Sequence, residues 1–159
     1  MSVLALSLTV GLSNAAVAQD SCDGVPVPCI EIEFPPVVIV GKPSGPRPTD
    51  GPKTPPQPTQ PKPLTSDGLQ DALIEYQSYT GNDCSQFVGA QDFHVEFNLE
   101  IWDDHGVGAP YMRSITISTT SVPSAWLDCM STAFRSLRFD TPGPDHIALM
   151  SPHVYVYAQ

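Results

Sequence analysis

Basic residues are scarce in this chain. Its 159 residues include 7 Lys and Arg against 17 Asp and Glu, for a formal charge of -10. That balance excludes nucleic acid, and it excludes an anionic membrane surface held by charge. Long apolar runs are also lacking. None reaches the roughly 18 residues of a membrane helix unless the N-terminus is stretched to supply it. There is no C-x-x-C for redox work, no H-E-x-x-H for zinc, and no nucleophile motif around any Ser. His94, His105, His146 and His153 have no helical metal spacing. The acidic turn Asp103-Asp104-His105 needs no ligand to exist. No catalytic, cofactor-binding or metal residue is assigned, and nothing in the composition points to an enzyme.

Proline is what the chain has in excess. Of 18 Pro, 13 fall between Pro26 and Pro63, so two materials are joined. The expected organisation is a signal peptide over 1–19, a Cys-loop segment and disordered Pro-rich linker over 20–65, and a folded domain over 66–159. Val3 to Val10 is mostly apolar, and Ala16-Val17-Ala18 has the small-x-small pattern that precedes cleavage. Cleavage is placed after Ala18 or one or two residues later. The usual basic n-region is missing, since the first basic residue is Lys42. A retained membrane anchor is the competing reading, and Gly11, Ser13 and Asn14 interrupt it.

Phe34 to Val40 is a β-branched apolar run too short to make a core. It reads as a sticky extended segment, or as a strand that pairs with an exposed sheet edge, its own or a partner's. Gly41 to Pro63 has almost nothing apolar and cannot offset its ordering entropy by burial. It reads as a polyproline spacer of at most roughly 70 Å.

Within the domain, Leu69, Leu73 and Tyr76 recur at helical spacing, which predicts a helix over about 67–80. Asp92 to Trp102 alternates. Phe93, Val95, Phe97, Leu99 and Ile101 share one face, as in a half-buried strand. Asp103 to Pro110 reads as a turn, and Tyr111 to Thr119 as the return strand of a hairpin. There Tyr111, Arg113, Ile115, Ile117 and Thr119 are expected on one face. Trp126, Cys129, Met130, Ala133, Phe134 and Leu137 make the stripe of a second helix. Ile147 to Tyr157 is the last strand, interrupted by Pro152. The fold class is therefore α+β. Two helices cover a three-stranded antiparallel sheet of order 2-1-3, with the last strand an edge.

The four cysteines suit an oxidising compartment. Cys22 and Cys29 lie in a C-x6-C spacing whose simplest use is a small disulfide loop, about 2.5 kcal/mol on chain entropy. Cys84 follows the first helix and Cys129 lies on the stripe of the second. Both helices need the same sheet face, so these two can bond. The alternative is two separate buried thiols.

The order of these pieces resembles the TonB C-terminal domain family, especially its relatives attached to gliding-motility proteins. The residues that carry the resemblance begin with Cys84 ahead of the first strand, then Val95-Glu96-Phe97-Asn98-Leu99 and the turn at Gly106. They continue through Trp126-Leu127-Asp128-Cys129-Met130, Leu137-Arg138-Phe139-Asp140-Thr141-Pro142 and Pro152-His153-Val154-Tyr155. About 80 residues are covered. The resemblance implies a periplasmic or cell-envelope module that binds a partner protein by strand pairing rather than a catalyst. Two features depart from that pattern. A transducer keeps a membrane helix, and the domain from Ser66 on carries 12 carboxylates against 3 basic residues.

The expectation is an exported, non-enzymatic interaction module without a cofactor. Its partner is a cell-envelope protein taken up on the edge strand, with Ile147, Leu149, Val154, Tyr155, Val156 and Tyr157 as the contact residues. A homodimer is compatible with the same edge. The alternatives are a small-ligand-binding or enzymatic α+β domain, and a purely structural or dimerising envelope protein.

Overall fold

A computed structural model describes residues 2–6, 28–55, 60–81, 83–118 and 121–158. In chain order the elements are β1 (Ser2–Leu6), β2 (Cys29–Phe34), β3 (Val38–Gly41), α1 (Ser66–Thr80), a 3-10 turn (Cys84–Phe87), β4 (Phe93–Asp104), β5 (Val107–Ile117), α2 (Ser124–Ser136), β6 (Phe139–Asp140), β7 (His146–Met150) and β8 (His153–Tyr157). The expected cleavage region and Cys22 lie outside the described residues.

The class is α+β, as the periodicities require, but the sheet is larger than three strands. Residues 28–158 supply seven strands, and β1 adds an eighth outside β2. The expected 2-1-3 arrangement survives as the middle of this sheet. Central β4 pairs antiparallel with β5 on one side and with β7 and β8 on the other. Of the extra strands, β2 and β3 come from the segment read as Cys-loop and linker, β1 from the stretch read as signal peptide, and β6 from the exit of α2. β2 pairs with β8, and β3 pairs with β7.

Each local element has a sequence cause. Thr65 caps α1 by accepting from the Gly68 N–H at 3.0 Å. Gly81 closes α1 in the left-handed region at φ 58°. α1 buries Leu69, Ala72, Leu73 and Tyr76, and α2 buries Trp126, Cys129, Met130, Ala133 and Phe134. These stripes meet Phe93, Val95, Phe97, Leu99 and Ile101 of β4 in one core. Trp126 stands edge-on to Phe93 at 4.7 Å between centroids.

The hairpin turn is tighter than the eight residues expected. His105 (φ 55°) and Gly106 (φ 84°) are both left-handed, the two-residue loop whose twist suits a hairpin. The strand therefore resumes at Val107. Pro110 sits inside β5 opposite Ile101. It is tolerated because its missing N–H would point to the outer edge, as the Met112 N–H does in donating to Asp50 O at 2.9 Å.

A line of irregularities crosses the sheet. β5 carries a bulge at Arg113, where the register shifts between Asn98 and Leu99 of β4. Next to it, Ser151-Pro152 splits the expected last strand into β7 and β8, and the Phe97 N–H donates to Pro152 O at 3.0 Å. Outermost, Pro35-Pro36-Val37 separates β2 from β3. The bulge corrects the expected face assignment of β5. Tyr111 lies opposite Glu100 on the face away from the helices, whereas Ile115 and Ile117 lie opposite Phe97 and Val95 on the helix side.

The Pro-rich segment is packed rather than a free spacer wherever it is described. The Lys42 N–H donates to Asp145 O, the Lys53 N–H to Arg135 O, and the Lys62 N–H to Arg138 O. Residues 42–50 cross the outer face of the sheet as a strap, with the Arg47 guanidinium 5.1 Å from the centre of the Trp102 ring. Lys62 pairs with Glu75 of α1 at 2.5 Å.

Candidate functional site

The strand proposed from sequence as the docking edge is interior. Val154 lies between Ile32 of β2 and Val95 of β4, and Leu149 lies between Val38 of β3 and Glu100. Ile147, Val154 and Val156 are buried, and only Tyr157 of the six named residues is exposed. The physical reason is the Cys29–Val40 stretch. It alternates Ile with Glu over 30–33 and is β-branched and apolar over 37–40, and it had a sheet edge within its own chain to join. Pro36 to Val40 as an internal cover was the alternative to a docking edge, and the structure takes that form.

Besides the outer side of β1, two stretches of edge remain unpaired among the described residues. The first is the outer side of β5 from Arg113 to Ile117. β6 covers β5 only at Val107 and Gly108, and Asp50 of the strap bridges it only at Met112. The Ser118 N–H donates to His94 O of β4. Strand parity then turns the N–H and C=O of Ile115 and Ile117 outward. Their side chains are 37% and 45% exposed, because the helices stop short of this corner. The second stretch is β3, four residues between Pro36 and Pro43, with Val38 and Ile39 both exposed.

The outer face of the sheet carries two polar groupings. On one side of the irregular line, His94 stacks on Tyr155 at 4.3 Å between centroids, and its Nε2 lies 3.3 Å from His153 Nδ1. The Tyr155 hydroxyl donates to Glu33 at 3.5 Å. Burial, followed by the charge of His153, holds His94 below the ordinary histidine value, against the pull of Glu96 and Glu33. Burial, helped by Glu33, raises Tyr155. His94 is on the outer face of β4, half-buried in this stack.

On the other side of the line the strap roofs a cleft of about 530 Å³. Val40, Ile147 and Leu149 supply apolar lining, and Glu100 and Arg113 supply charge. Glu100 is 6% exposed. Its carboxylate accepts from Trp102 Nε1 at 3.0 Å and pairs with Arg113 Nη1 at 3.3 Å. The chain matches no protein-family model, no curated protein and no solved structure. Site chemistry therefore rests on this geometry.

The Cys84–Cys129 bond is formed, with Cα atoms 5.8 Å apart. It ties the 3-10 turn to α2, as the shared sheet face required. Cys29 is disulfide-bonded as well. Asp103 and Asp104 serve the hairpin turn. Asp103 accepts from the Thr141 hydroxyl, and Asp104 lies 2.9 Å from His105 Nδ1. Among the described residues no group of three or more His, Cys, Asp or Glu is placed to hold a metal ion.

Sequence reasoning missed the strap cleft. Its signal was present in Glu100-Ile101-Trp102 and in Ile147-Ala148-Leu149-Met150, where large apolar residues occupy both faces of a strand. Such strands are covered on both sides.

Proposed function

We propose that this chain is an exported, non-enzymatic interaction module that takes an extended segment of a cell-envelope protein onto the free edge of β5. The observation that carries it is the Arg113–Ile117 edge. It offers outward backbone groups beside two half-exposed isoleucines, and Asp50 already adds one antiparallel bridge at the neighbouring Met112. An unpaired edge of this kind is the template for strand addition. The incoming segment would place apolar residues beside Ile115 and Ile117. A basic partner complements the charge of -10.

Export is supported by the disulfide and by the small-residue pattern at Ala16-Val17-Ala18. Among the described residues no helix is long and apolar enough to cross a membrane. The likeness to TonB C-terminal domains rests on the residues quoted for it and agrees with this mode of binding. The exposure of Val38 and Ile39 favours a second reading, in which β3 pairs with β3 of another copy.

The test compares two proline variants in capture from a periplasmic extract. Ile115→Pro removes an outward donor and should abolish specific capture while melting within a few degrees of the parent. Thr116→Pro removes an inward donor to β4 and should lower the melting temperature. Hydrogen exchange at Ile115 and Ile117 should slow when the captured protein is added back. Capture that survives Ile115→Pro refutes the β5 edge. A sedimenting dimer that Ile39→Lys dissolves supports self-pairing through β3 instead.

A further inference from the structure

We propose that the cleft beneath the strap binds a small apolar carboxylate, a function separate from strand addition. The cleft is walled by the proline-rich strap on one side and by the outer face of β3, β4, β5 and β7 on the other. Its volume of about 530 Å³ lies within the usual range for small-molecule sites. The lining from Val40, Ile147 and Leu149 is aliphatic, so the body of a ligand there must be apolar.

The count of donors and acceptors selects the charge of the head group. A guanidinium carries five N–H donors. Arg113 commits one nitrogen to Glu100 and its side chain is 65% exposed. Arg47, also on the lining, spends two nitrogens, on the Tyr111 hydroxyl and the Asp103 carbonyl. Both therefore retain donors. Among the described lining residues Glu100 is the only carboxylate, and both of its oxygens are already engaged, by Trp102 and by Arg113. Buried at 6% exposure, it has no room for a ligand cation. It takes up one Arg113 nitrogen and leaves the other donors of that guanidinium for a ligand.

The placement of charge agrees. Arg47 and Arg113 line the cleft, and Lys42 lies 5.7 Å from the centre of the Trp102 ring beside it. Three of the 7 basic residues in a chain of charge -10 thus gather at one apolar cleft. A fixed cationic cluster surrounded by acid draws an anion to that place and to few others.

A matched trio of probes tests this on the whole secreted chain: octanoate, octylamine and octanol, by titration calorimetry. Tryptophan emission is a second readout, because Trp102 borders the cleft while Trp126 is in the core. Octanoate should bind at least about tenfold more tightly than either neutral or cationic analogue, the ratio expected of one charge-assisted hydrogen bond. Arg113→Gln should bring octanoate down to the level of octanol. Glu100→Gln should keep or tighten octanoate binding, since it removes the one negative charge of the lining. A purely structural role for the Glu100–Arg113 pair would not separate these two variants. Should Arg113→Gln fail to fold, Arg47→Gln, at an exposed site, must weaken octanoate severalfold. Octylamine binding as tightly as octanoate, no binding of octanoate, or an unchanged affinity in a folded Arg113→Gln protein would each overturn the proposal.

Discussion

The Cys84–Cys129 bond sets the scale of stability for this protein. Its ends are 45 positions apart, and closing a loop of that size removes chain entropy worth about 4 kcal/mol from the unfolded state. That is a large share of the roughly 5–15 kcal/mol that separates folded from unfolded domains. Over about 130 described residues, with an unfolding entropy of about 2.1 cal/mol/K per residue, it corresponds to a fall of about 15 °C in melting temperature. Cys84 is 3% and Cys129 is 8% exposed, so a thiol reductant reaches the sulfurs only when the 3-10 turn lifts from α2. Oxidised protein, reduced protein and the Cys84→Ala/Cys129→Ala double variant should therefore be compared by calorimetry. The reduced form should melt about 15 °C below the oxidised form. The double variant should fall at least as far, because it also loses two buried sulfurs. Reduction of the native protein should proceed no faster than local opening. A difference under about 4 °C between oxidised and reduced forms, equivalent to about 1 kcal/mol, would refute the loop-entropy reasoning. It would mean that the unfolded chain already holds these segments together.

Two further outcomes follow from particular contacts. His94 has a lowered pKa in the folded state, so the unfolded chain binds the proton more readily. The stability it contributes is fully present above about pH 6.5, the ordinary histidine value, and is lost as pH falls through the folded value. Urea midpoints measured between about pH 7.5 and 5 should decline with acid, and His94→Gln should flatten that decline; an equal slope in the variant would remove His94 as its source. At Gly68, an added Cβ would lie 2.0 Å from the Pro63 carbonyl oxygen. Gly68→Ala should therefore destabilise by about 1–3 kcal/mol despite the better helix propensity of Ala. A rise in melting temperature would show that the chain at Pro63 yields freely.

The parts of this fold that were legible from sequence are those whose residues carry one period and one buried face. The stripe of α2, the alternation of β4 and the meeting of Cys84 with Cys129 needed only such local rules. The strap was illegible for a physical reason. Its own residues bury little, so composition assigns it no ordered state. It is held instead by the Lys42 backbone donor to Asp145, by the Asp50 bridge to Met112 and by Arg47 against Trp102 and Tyr111, contacts that exist only once the sheet is built. The docking edge was misplaced for a related reason. Pro152 does mark a break, but a break in the middle of a sheet is possible when the neighbouring strand breaks at the same level, as β2 and β3 do at Pro35-Pro36. The strap cleft needed long-range pairing to be seen. Glu100 reads as an ordinary polar-face residue until β3, β7 and the strap come together around it.

The pairing of β2 with β8 fixes the order in which this protein can be finished. Glu33 and Tyr155, 122 positions apart, meet across that ladder. One of the first strands made therefore waits for the last, and loops of that span close slowly because their entropy is lost before any contact rewards it. The hairpin of β4 and β5 and the two helices can form early from nearby residues. β1 can cover one side of β2 early, but the segment from Cys29 to Gly41 keeps an edge unpaired until the C-terminus arrives. In that interval its isoleucines and valines are an open strand, and the prolines within and around it are what keep two such chains from zipping together.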